Sequence, residues 1–324
     1  MTRKVRVATI AMGSQGGPTV ADNRQRMAGL IEQALIEKPD IVALPESFTL
    51  SNLAERDIEQ MAEDIPGPTL AMASGYARKN RTYIICPLLA RRDSGLHIEA
   101  FLLDRKGEIA GSYQKNHPVV EGSEFQKLEY GSKPGHNTSV LETDFGKIGI
   151  QICFDIHYPQ GWNTLNQQGA EIIFWVSAYD GGRGLNAWAW NTHRYVVSAV
   201  ASAYAQIIDI MGDPLAATGI HDPVAAHTID LDIALFCMDF NKTQIPLIRT
   251  RYGLDAMINI YHAEGFFTLQ SQRAGLEVEE IIREFKLETL HEYVERNERL
   301  QSAIRNGEPI PDLTPPYLGR TQWV

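Results

Sequence analysis

The chain has only three cysteines among 324 residues, too few for a disulfide scaffold. It has no Cys-x-x-Cys pair and no His-Glu-x-x-His run, so a zinc site has little support. Lysine and arginine form no block, and the formal net charge is −10, which argues against nucleic acid as a partner. No apolar run approaches the roughly 18–20 residues that span a bilayer.

Two further absences concern location and cofactors. The N-terminus has no long apolar segment behind it, so we expect no signal peptide and a cytoplasmic protein. The glycine-rich run at residues 181–184 lacks the Gly-Lys-Ser/Thr pattern of a phosphate loop. We therefore interpret that run as a flexible pocket rim, and we expect neither a cofactor nor a metal.

What the chain does contain is a large apolar fraction in an α/β order. Its hydrophobic content of 44% is enough for one large core or two modest ones. Residues 4–10 read as a buried strand, residues 22–37 as a helix with Asp22 as its N-cap, and residues 41–44 as the next strand. This strand–helix–strand order is typical of α/β folds.

The rest of the chain extends this pattern. Strands are expected at residues 82–90, 99–104, 109–113, 139–142, 147–153, 171–176, 195–201, 227–231 and 235–240, with helices at 69–78, at 160–168 and from 187. Residues 116–137 read as a long loop, which in a compact domain is usually functional or disordered. Residues 276–305 place apolar side chains among many charges and predict one or two amphipathic helices.

Three chemically active residues each follow a strand-like run. Glu46 comes after residues 41–44, Lys115 after 109–113, and Cys153 ends 147–153. Residues just past the strands of an open α/β sheet gather at one edge, where ligands bind. A base, a cation and a thiol in one pocket make a site for acyl transfer through a thioester.

Each of these residues also has a structural interpretation, which stays open at this point. Cys153 can be a buried strand cysteine, as Cys86 and Cys237 are expected to be, although a helix beginning near residue 159 would lower its thiol pKa. Glu46 can merely cap a turn, or it can be a sheltered carboxylate of raised pKa that acts as a base. Lys115 can be an ordinary solvated lysine.

Three motifs resemble those of the nitrilase superfamily of carbon–nitrogen hydrolases. They are Leu-Pro-Glu-Ser-Phe at residues 44–48, Tyr-Gln-Lys-Asn-His at 113–117 and Gly-Ile-Gln-Ile-Cys-Phe-Asp at 149–155. Their order and separation match as well, and the resemblance covers roughly residues 4–240. It implies a four-layer α-β-β-α sandwich, a homo-oligomer, and a catalytic triad of Glu46, Lys115 and Cys153.

The resemblance also implies a role for each group. Cys153 would attack the substrate carbon, Glu46 would move the protons, and Lys115 would stabilise the oxyanion, with a backbone N–H near Phe154 as a second donor. Many members use a second glutamate after the lysine. The candidates here are Glu121, Glu124 and Glu129, and the segment at residues 125–129 favours Glu129, which can equally be an exposed loop carboxylate.

Residues around the nucleophile indicate the branch. Nitrilases proper usually carry Cys-Trp-Glu, whereas this chain has Cys-Phe-Asp at residues 153–155, and residues 153–162 look like β-ureidopropionase. Residues 188–192 and 201–202 depart from the pattern of such relatives. We expect substrate contacts from Phe154, His157, Tyr179 and Arg183, with Arg183 equally able to be a solvated loop charge. Trp175, Trp188 and Trp190 either line the pocket or pack in the core.

The leading hypothesis is a cofactor-free thiol hydrolase that releases ammonia from a small linear amide or N-carbamoyl compound. The alternatives are a nitrilase or cyanide-processing enzyme and, less favoured, an inactive binding module. We expect a hydrolase domain at residues 1–265. Residues 266–324 are expected to form a helical extension and tail with oligomer contacts, the alternative being that the extension wraps back on its own subunit.

Overall fold

The structure is a computed structural model that describes residues 3–54, 57–121 and 126–317. The chain divides into two compact units, one formed by Val5–Ile229 and the other by Met1–Lys4 with Asp230–Val324. Within the described ranges no helix is both long and apolar enough to cross a membrane.

The larger unit is built from strands and helices that alternate along much of the chain. Its strands are β1 (Lys4–Ile10), β2 (Ile41–Ala43), β3 (Glu63–Asp64), β4 (Tyr83–Arg92), β5 (Gly95–Leu103), β6 (Ile109–Gln114), β7 (Val120–Glu121), β8 (Lys127–Leu128), β9 (Leu141–Glu142), β10 (Lys147–Ile152), β11 (Ile172–Ser177), β12 (Tyr195–Val200), β13 (Gln206–Ile208), β14 (Pro214–Ala217) and β15 (Val224–Asp230). Its helices are α1 (Val20–Ile36), α2 (Ile58–Met61), α3 (Pro68–Asn80), α4 (Pro159–Gln167) and α5 (Arg183–Thr192).

These strands form two main sheets. The first has the order β15-β1-β2-β4-β5-β6 with β3 beside β4, and the second has the order β14-β13-β12-β11-β10-β9. In the first sheet β1, β2 and β4 run parallel, as do β10, β11 and β12 in the second. The sheets meet where Ala11 bridges Val200 and the Thr9 hydroxyl donates to the Ser198 carbonyl.

Helices cover the outer face of each sheet. The apolar stripes of α1 and α3 pack on β1, β2 and β4, and those of α4 and α5 pack on β11 and β12. Because both faces of the central strands are buried, their sequences are continuous apolar runs, as in Ile172–Ser177. The four-layer α-β-β-α sandwich expected from the motifs is therefore confirmed.

The start of α1 differs from the expected one. Thr19, and not Asp22, is the N-cap: its hydroxyl accepts from the Asp22 backbone N–H, and the Asp22 carboxylate accepts from the Thr19 N–H. Asp22 is thus the third helical residue of a capping box. Sequence position alone did not distinguish the two roles, because both residue types favour the first turn.

The smaller unit has its own sheet and core. Its elements are β16 (Ala234–Cys237), α6 (Met238–Asn241), α7 (Ile245–Tyr252), β17 (Ala256–Tyr261), β18 (Phe266–Ser271), α8 (Val278–Glu284) and α9 (Leu290–Asn306), with the sheet order β16-β18-β17. The structure thus divides the chain near residue 230, whereas the expected division at 265 falls between two strands that pair.

The expected helices at 276–305 are confirmed as α8 and α9, but most of the apolar side chains of this segment are buried within the smaller unit. Leu276, Val278, Ile281 and Leu287 are buried in the core of the same unit, against Phe236, Phe267 and Leu269. Val294 and Ile304 of α9 are exposed. The argument that this stripe needs a second subunit is therefore wrong, and oligomer formation stays a prediction.

Candidate active site

Glu46 lies in a sharp turn just past β2. The strand pairing continues to Leu44, and Ser47 then adopts a left-handed conformation with φ of 47°. The Glu46 side chain is buried: its Oε1 accepts from Lys115 Nζ at 2.8 Å and its Oε2 from the Ala178 N–H at 3.0 Å. Burial raises the pKa of this carboxyl, an effect that Lys115 opposes. A carboxylate of this kind is a suitable proton acceptor.

Lys115 follows β6 and is enclosed between two carboxylates. Its backbone N–H donates to the Ile98 carbonyl at 2.9 Å, and its ammonium, fully buried, donates to Glu46 and to Glu129 Oε1 at 2.5 Å. Burial favours the neutral amine, but Glu46, Cys153 and Glu129 outweigh it and raise the Lys115 pKa. The structure therefore holds a permanent cation here, and the solvated interpretation of Lys115 is wrong.

Cys153 is the first residue past β10 and has an unusual backbone. Its φ is 48°, a left-handed conformation that costs a non-glycine residue of order 1–3 kcal/mol. The register of β10 on β11 pairs Ile152 with Val176, so Ser177 lies beside Cys153. The Cys153 thiol lies close enough to the Glu46 carboxylate and the Ser177 hydroxyl for both to shift its pKa.

The thiol pKa differs from the expectation. Burial and the Glu46 carboxylate raise the pKa of Cys153 to about 12, although Lys115 and Ser177 lower it. The expected lowering by a helix N-terminus fails, because a short 3₁₀ turn, Cys153–His157, separates the thiol from α4. The resting thiol of Cys153 is thus protonated and lies next to the Glu46 carboxylate.

Three tryptophan side chains fix that turn. Their indole N–H groups donate to three carbonyls of the turn: Trp175 to Cys153 at 2.9 Å, Trp162 to Asp155 at 3.3 Å and Trp188 to Ile156 at 2.8 Å. Trp162 and Trp175 are fully buried. Core packing is therefore the correct interpretation of Trp175, and its function here is to hold the nucleophile's backbone.

Among the candidates for a second glutamate, the structure brings Glu129 to the site. Besides Lys115, its Oε1 accepts from the Val119 N–H at 2.9 Å. The Glu121 carboxylate instead accepts from the Tyr130 N–H at 3.2 Å on the surface, and Glu124 lies outside the described residues. The expected long loop also contains the paired strands β7 and β8.

The four residues expected to contact substrate are placed differently from one another. Tyr179 lies close enough to interact electrostatically with Cys153, Glu46 and Lys115; its ring meets Trp175 edge-on at 5.3 Å, and burial raises its pKa to about 12. It remains 39% exposed, so its phenol is accessible at the site.

Phe154 and His157 belong to an aromatic group directly after the nucleophile. The Phe154 ring meets His157 at 4.9 Å and Tyr158 at 5.9 Å, and Tyr158 stacks on His117 at 3.5 Å. His157 is exposed and Phe154 half-buried. This group places apolar and imidazole surface beside Cys153.

Arg183 is the fourth residue expected to contact substrate. It is the first residue of α5, so the expectation of a loop residue on a flexible rim is wrong. It is exposed and makes no hydrogen bond or ion pair with a described residue. The two glycines before it provide the turn, with φ of 70° at Gly181 and 55° at Gly182.

No group of three or more His, Cys, Asp or Glu side chains arranged for a metal occurs among the described residues.

Two polar side chains of the site had no role assigned from sequence. Ser177 lies beside Cys153 through a strand pairing that only the register reveals, and Asp155 follows Cys153 at a spacing that the motif itself contains.

Comparison with known proteins settles the family. The model of the carbon–nitrogen hydrolase family matches residues 6–231, about two thirds of the chain. The chain belongs to the carbon–nitrogen hydrolases. This agrees with the nitrilase-superfamily motifs, and the matched region nearly coincides with the larger compact unit.

Relatives of this carbon–nitrogen hydrolase include two named enzymes. It is 27% identical to omega-amidase NIT2 of Xenopus tropicalis over 256 residues, covering 72% of this chain and 91% of the relative. It is 29% identical to the beta-ureidopropionase of Arabidopsis thaliana over 215 residues, 62% of this chain and 52% of the relative. Among solved structures, Nit3 of Saccharomyces cerevisiae, a nitrilase-superfamily member, matches with a TM-score of 0.60 at 20% identity, covering 78% of this chain and 95% of Nit3.

Proposed function

We propose that this carbon–nitrogen hydrolase cleaves small linear amides through a thioester on Cys153, with release of ammonia. The observation that carries the proposal is the buried position of the Glu46 carboxylate, which lies beside the Cys153 thiol and accepts from Lys115 Nζ at 2.8 Å. A protonated thiol, a base of raised pKa and a fixed cation are the three groups that thiol-dependent acyl transfer needs.

Acylation follows from this arrangement. The Cys153 sulfur forms a bond to the amide carbon as its proton passes to Glu46, and the carbonyl π electrons move to oxygen. The oxyanion is stabilised by the Lys115 ammonium. Collapse of the tetrahedral adduct breaks the carbon–nitrogen bond, and the nitrogen takes the proton from Glu46 and leaves as ammonia.

Deacylation uses the same groups in the reverse roles. Glu46 takes a proton from a water molecule that attacks the thioester carbon, and Lys115 again faces the oxyanion. Breaking the carbon–sulfur bond gives the carboxylic acid, and the proton on Glu46 returns to the Cys153 sulfur. A base with a raised pKa suits both directions of proton transfer.

Glu129 has a supporting role in this proposal. Lys115 facing Glu46 alone would form a neutral pair, and a second carboxylate keeps the ammonium protonated and aimed. The Val119 N–H orients the Glu129 oxygen that Lys115 contacts. Removal of Glu129 should therefore weaken catalysis less than removal of Glu46.

The substrate class is inferred from the relatives and the nucleophile motif. The match to an omega-amidase covers nearly all of that relative, which favours a primary amide of a small linear acid. The match to a beta-ureidopropionase, over about half of that protein, supports N-carbamoyl compounds as a second class. The aromatic groups beside Cys153 and the Tyr179 phenol are the surfaces that we expect to select the substrate chain.

Ammonia release from a panel of linear amides, N-carbamoyl amino acids and nitriles tests the proposal. We expect the wild type to release ammonia from amides most rapidly and Cys153→Ala to release none. Cys86→Ala is the matched control, since Cys86 is a buried thiol in β4 whose loss affects stability more than rate. Turnover of Cys153→Ala at the wild-type rate would refute the mechanism, and turnover of nitriles alone would refute the substrate class.

A further inference from the structure

Asp155 has the most heavily bonded carboxylate at the site, and the reaction as described does not use it. It is fully buried, and each of its oxygens accepts two hydrogen bonds. Oδ1 accepts from the His117 N–H at 3.0 Å and from His117 Nδ1 at 2.7 Å. Oδ2 accepts from the Tyr113 hydroxyl at 2.8 Å and from the Ile152 N–H at 3.0 Å.

These donors come from two separate parts of the chain. Ile152 ends β10 and precedes the turn that contains Cys153, whereas Tyr113 and His117 lie on either side of Lys115. Asp155 therefore joins the segment of the nucleophile to the segment of the cation through three of its four bonds. Burial, reinforced by Asp155, raises the Tyr113 pKa well above its usual value, so the phenol remains a donor.

The other bonds of the turn do not make this connection. The three indole N–H groups that hold its carbonyls come from α4, β11 and α5, all C-terminal to Cys153. Lys115 itself contacts the two glutamates, its backbone N–H donates to the Ile98 carbonyl, and its carbonyl accepts from the Gly135 N–H. Apart from the stacking of Tyr158 on His117 and the Glu46 carboxylate between Lys115 and Cys153, the link between the turn and the lysine segment thus depends on the Asp155 carboxylate.

We propose that Asp155 is a positioning residue that fixes the Cys153 turn against the Lys115 segment, so that the ammonium faces the sulfur. The inference builds on the proposed roles of Cys153 and Lys115 but concerns their placement. It predicts that the effect of Lys115 on the thiol exists only while Asp155 is intact.

Asp155→Asn is the direct perturbation, because it preserves shape and removes the charge. An asparagine side chain has one acceptor oxygen, and in either orientation its amide nitrogen would face one backbone N–H, of His117 or Ile152, and one side chain that would have to turn from donor to acceptor. At least one of the four bonds is therefore lost, and the others lose the charge of the acceptor. Tyr113→Phe is the milder variant, since it removes one bond and keeps the ring, and it remains informative if Asp155→Asn fails to fold.

The experiment measures alkylation of Cys153 by iodoacetamide in the full chain, as a function of pH, by peptide mass spectrometry. The variants are Asp155→Asn, Tyr113→Phe, Lys115→Met and the double variant Asp155→Asn/Lys115→Met. The matched control is Glu63→Gln, which alters a buried carboxylate that caps α3 through the Thr69 N–H at 2.9 Å and lies outside the triad's contacts.

Loss of the nearby cation should displace the pH profile toward higher pH. We expect Asp155→Asn and Lys115→Met each to slow alkylation by at least about threefold at a given pH, allowing for the greater nucleophilicity of a more basic thiolate. The double variant should be no slower than Lys115→Met, Tyr113→Phe should fall between Asp155→Asn and wild type, and Glu63→Gln should match wild type.

Multiplicative effects in the double variant, or a wild-type profile in both Asp155→Asn and Tyr113→Phe, would overturn the inference. An equal displacement in Glu63→Gln would also overturn it, since any buried carboxylate would then have the same effect. Ammonia release separates this inference from the proposed function. Displaced profiles in a protein that hydrolyses none of the panel would retain the positioning role and reject the amidase role.

Discussion

Glu46→Gln is expected to change hydrolysis and thiol reactivity in opposite directions. The substitution keeps the size of a buried side chain but removes both the base and the negative charge beside the sulfur. Loss of a general base costs about 10²–10⁴ in rate. Since the proposed mechanism uses Glu46 in both acylation and deacylation, we expect ammonia release to fall by at least that factor.

The thiol should become more acidic in the same variant. Two unit charges about 4 Å apart interact by about 4 kcal/mol at an effective dielectric constant of about 20, equivalent to about three pKa units. Lys115 lies 2.8 Å from Glu46 and cancels much of this field, so the net fall is smaller. We expect the pKa of Cys153 to fall from about 12 by about one unit or more.

Iodoacetamide alkylation of Cys153 measures this change. A fall of one unit increases the thiolate fraction about tenfold, and the lower basicity of that thiolate reduces the net gain to about threefold. The peptide that contains Cys86, which is buried, reports general unfolding in the same samples. Slower alkylation of Glu46→Gln than of wild type, with a native circular dichroism spectrum, would refute the charge arrangement that we describe.

Three other outcomes follow from the site. Hydrolysis should fall with decreasing pH as Glu46 is protonated. The midpoint should lie above the usual glutamate pKa of 4.5, because burial raises the pKa of Glu46. A midpoint at or below 4.5 in a pH–rate profile would contradict the role of Glu46 as the base. Glu129→Gln should shift that midpoint to lower pH, since the Glu129 charge raises the Glu46 pKa. It should also slow turnover about tenfold, because Lys115 loses one of its two carboxylate partners. A shift of the midpoint to higher pH would contradict this role of Glu129. Ser177→Ala should slow both alkylation of Cys153 and turnover, the latter by about tenfold, because the Ser177 hydroxyl lowers the pKa of the thiol. Faster alkylation in a kinetic assay would show that the hydroxyl does not have this effect.

The fold was largely predictable because the core strands are buried on both faces. The sequence pattern predicted β1 at its exact bounds and α4 to within one residue at either end. Residues past the parallel strands come together at one sheet edge by topology, so the meeting of Glu46, Lys115 and Cys153 was predictable too. The strands that escaped prediction are β3, β7, β8, β13, β14, β17 and β18. The first five have only two to four residues each, and β17 and β18 pair with each other and with β16 in a sheet that the sequence pattern did not reveal.

The predictions that failed concern properties that depend on what surrounds a residue in the folded chain. The thiol pKa of Cys153 is set by burial and by Glu46, which lies more than 100 residues earlier in the chain, and the local motif shows only the helix that follows. The same holds for the apolar stripe at 276–305, whose partners in β16 and β18 could not be assigned from the helix pattern. Asp155 was visible as a motif residue, but its four donors come from pairings that only the folded chain shows.

The most direct test of the account is to look for the acyl group itself. Rapid acid quenching of the wild type during turnover of a good amide substrate, followed by intact-mass and peptide analysis, should reveal one acyl group on the peptide that contains Cys153. The adduct should be absent from Cys153→Ala. Hydrolysis without any adduct under conditions where acylation is fast, or an adduct on a different residue, would contradict the claim that Cys153 is the nucleophile.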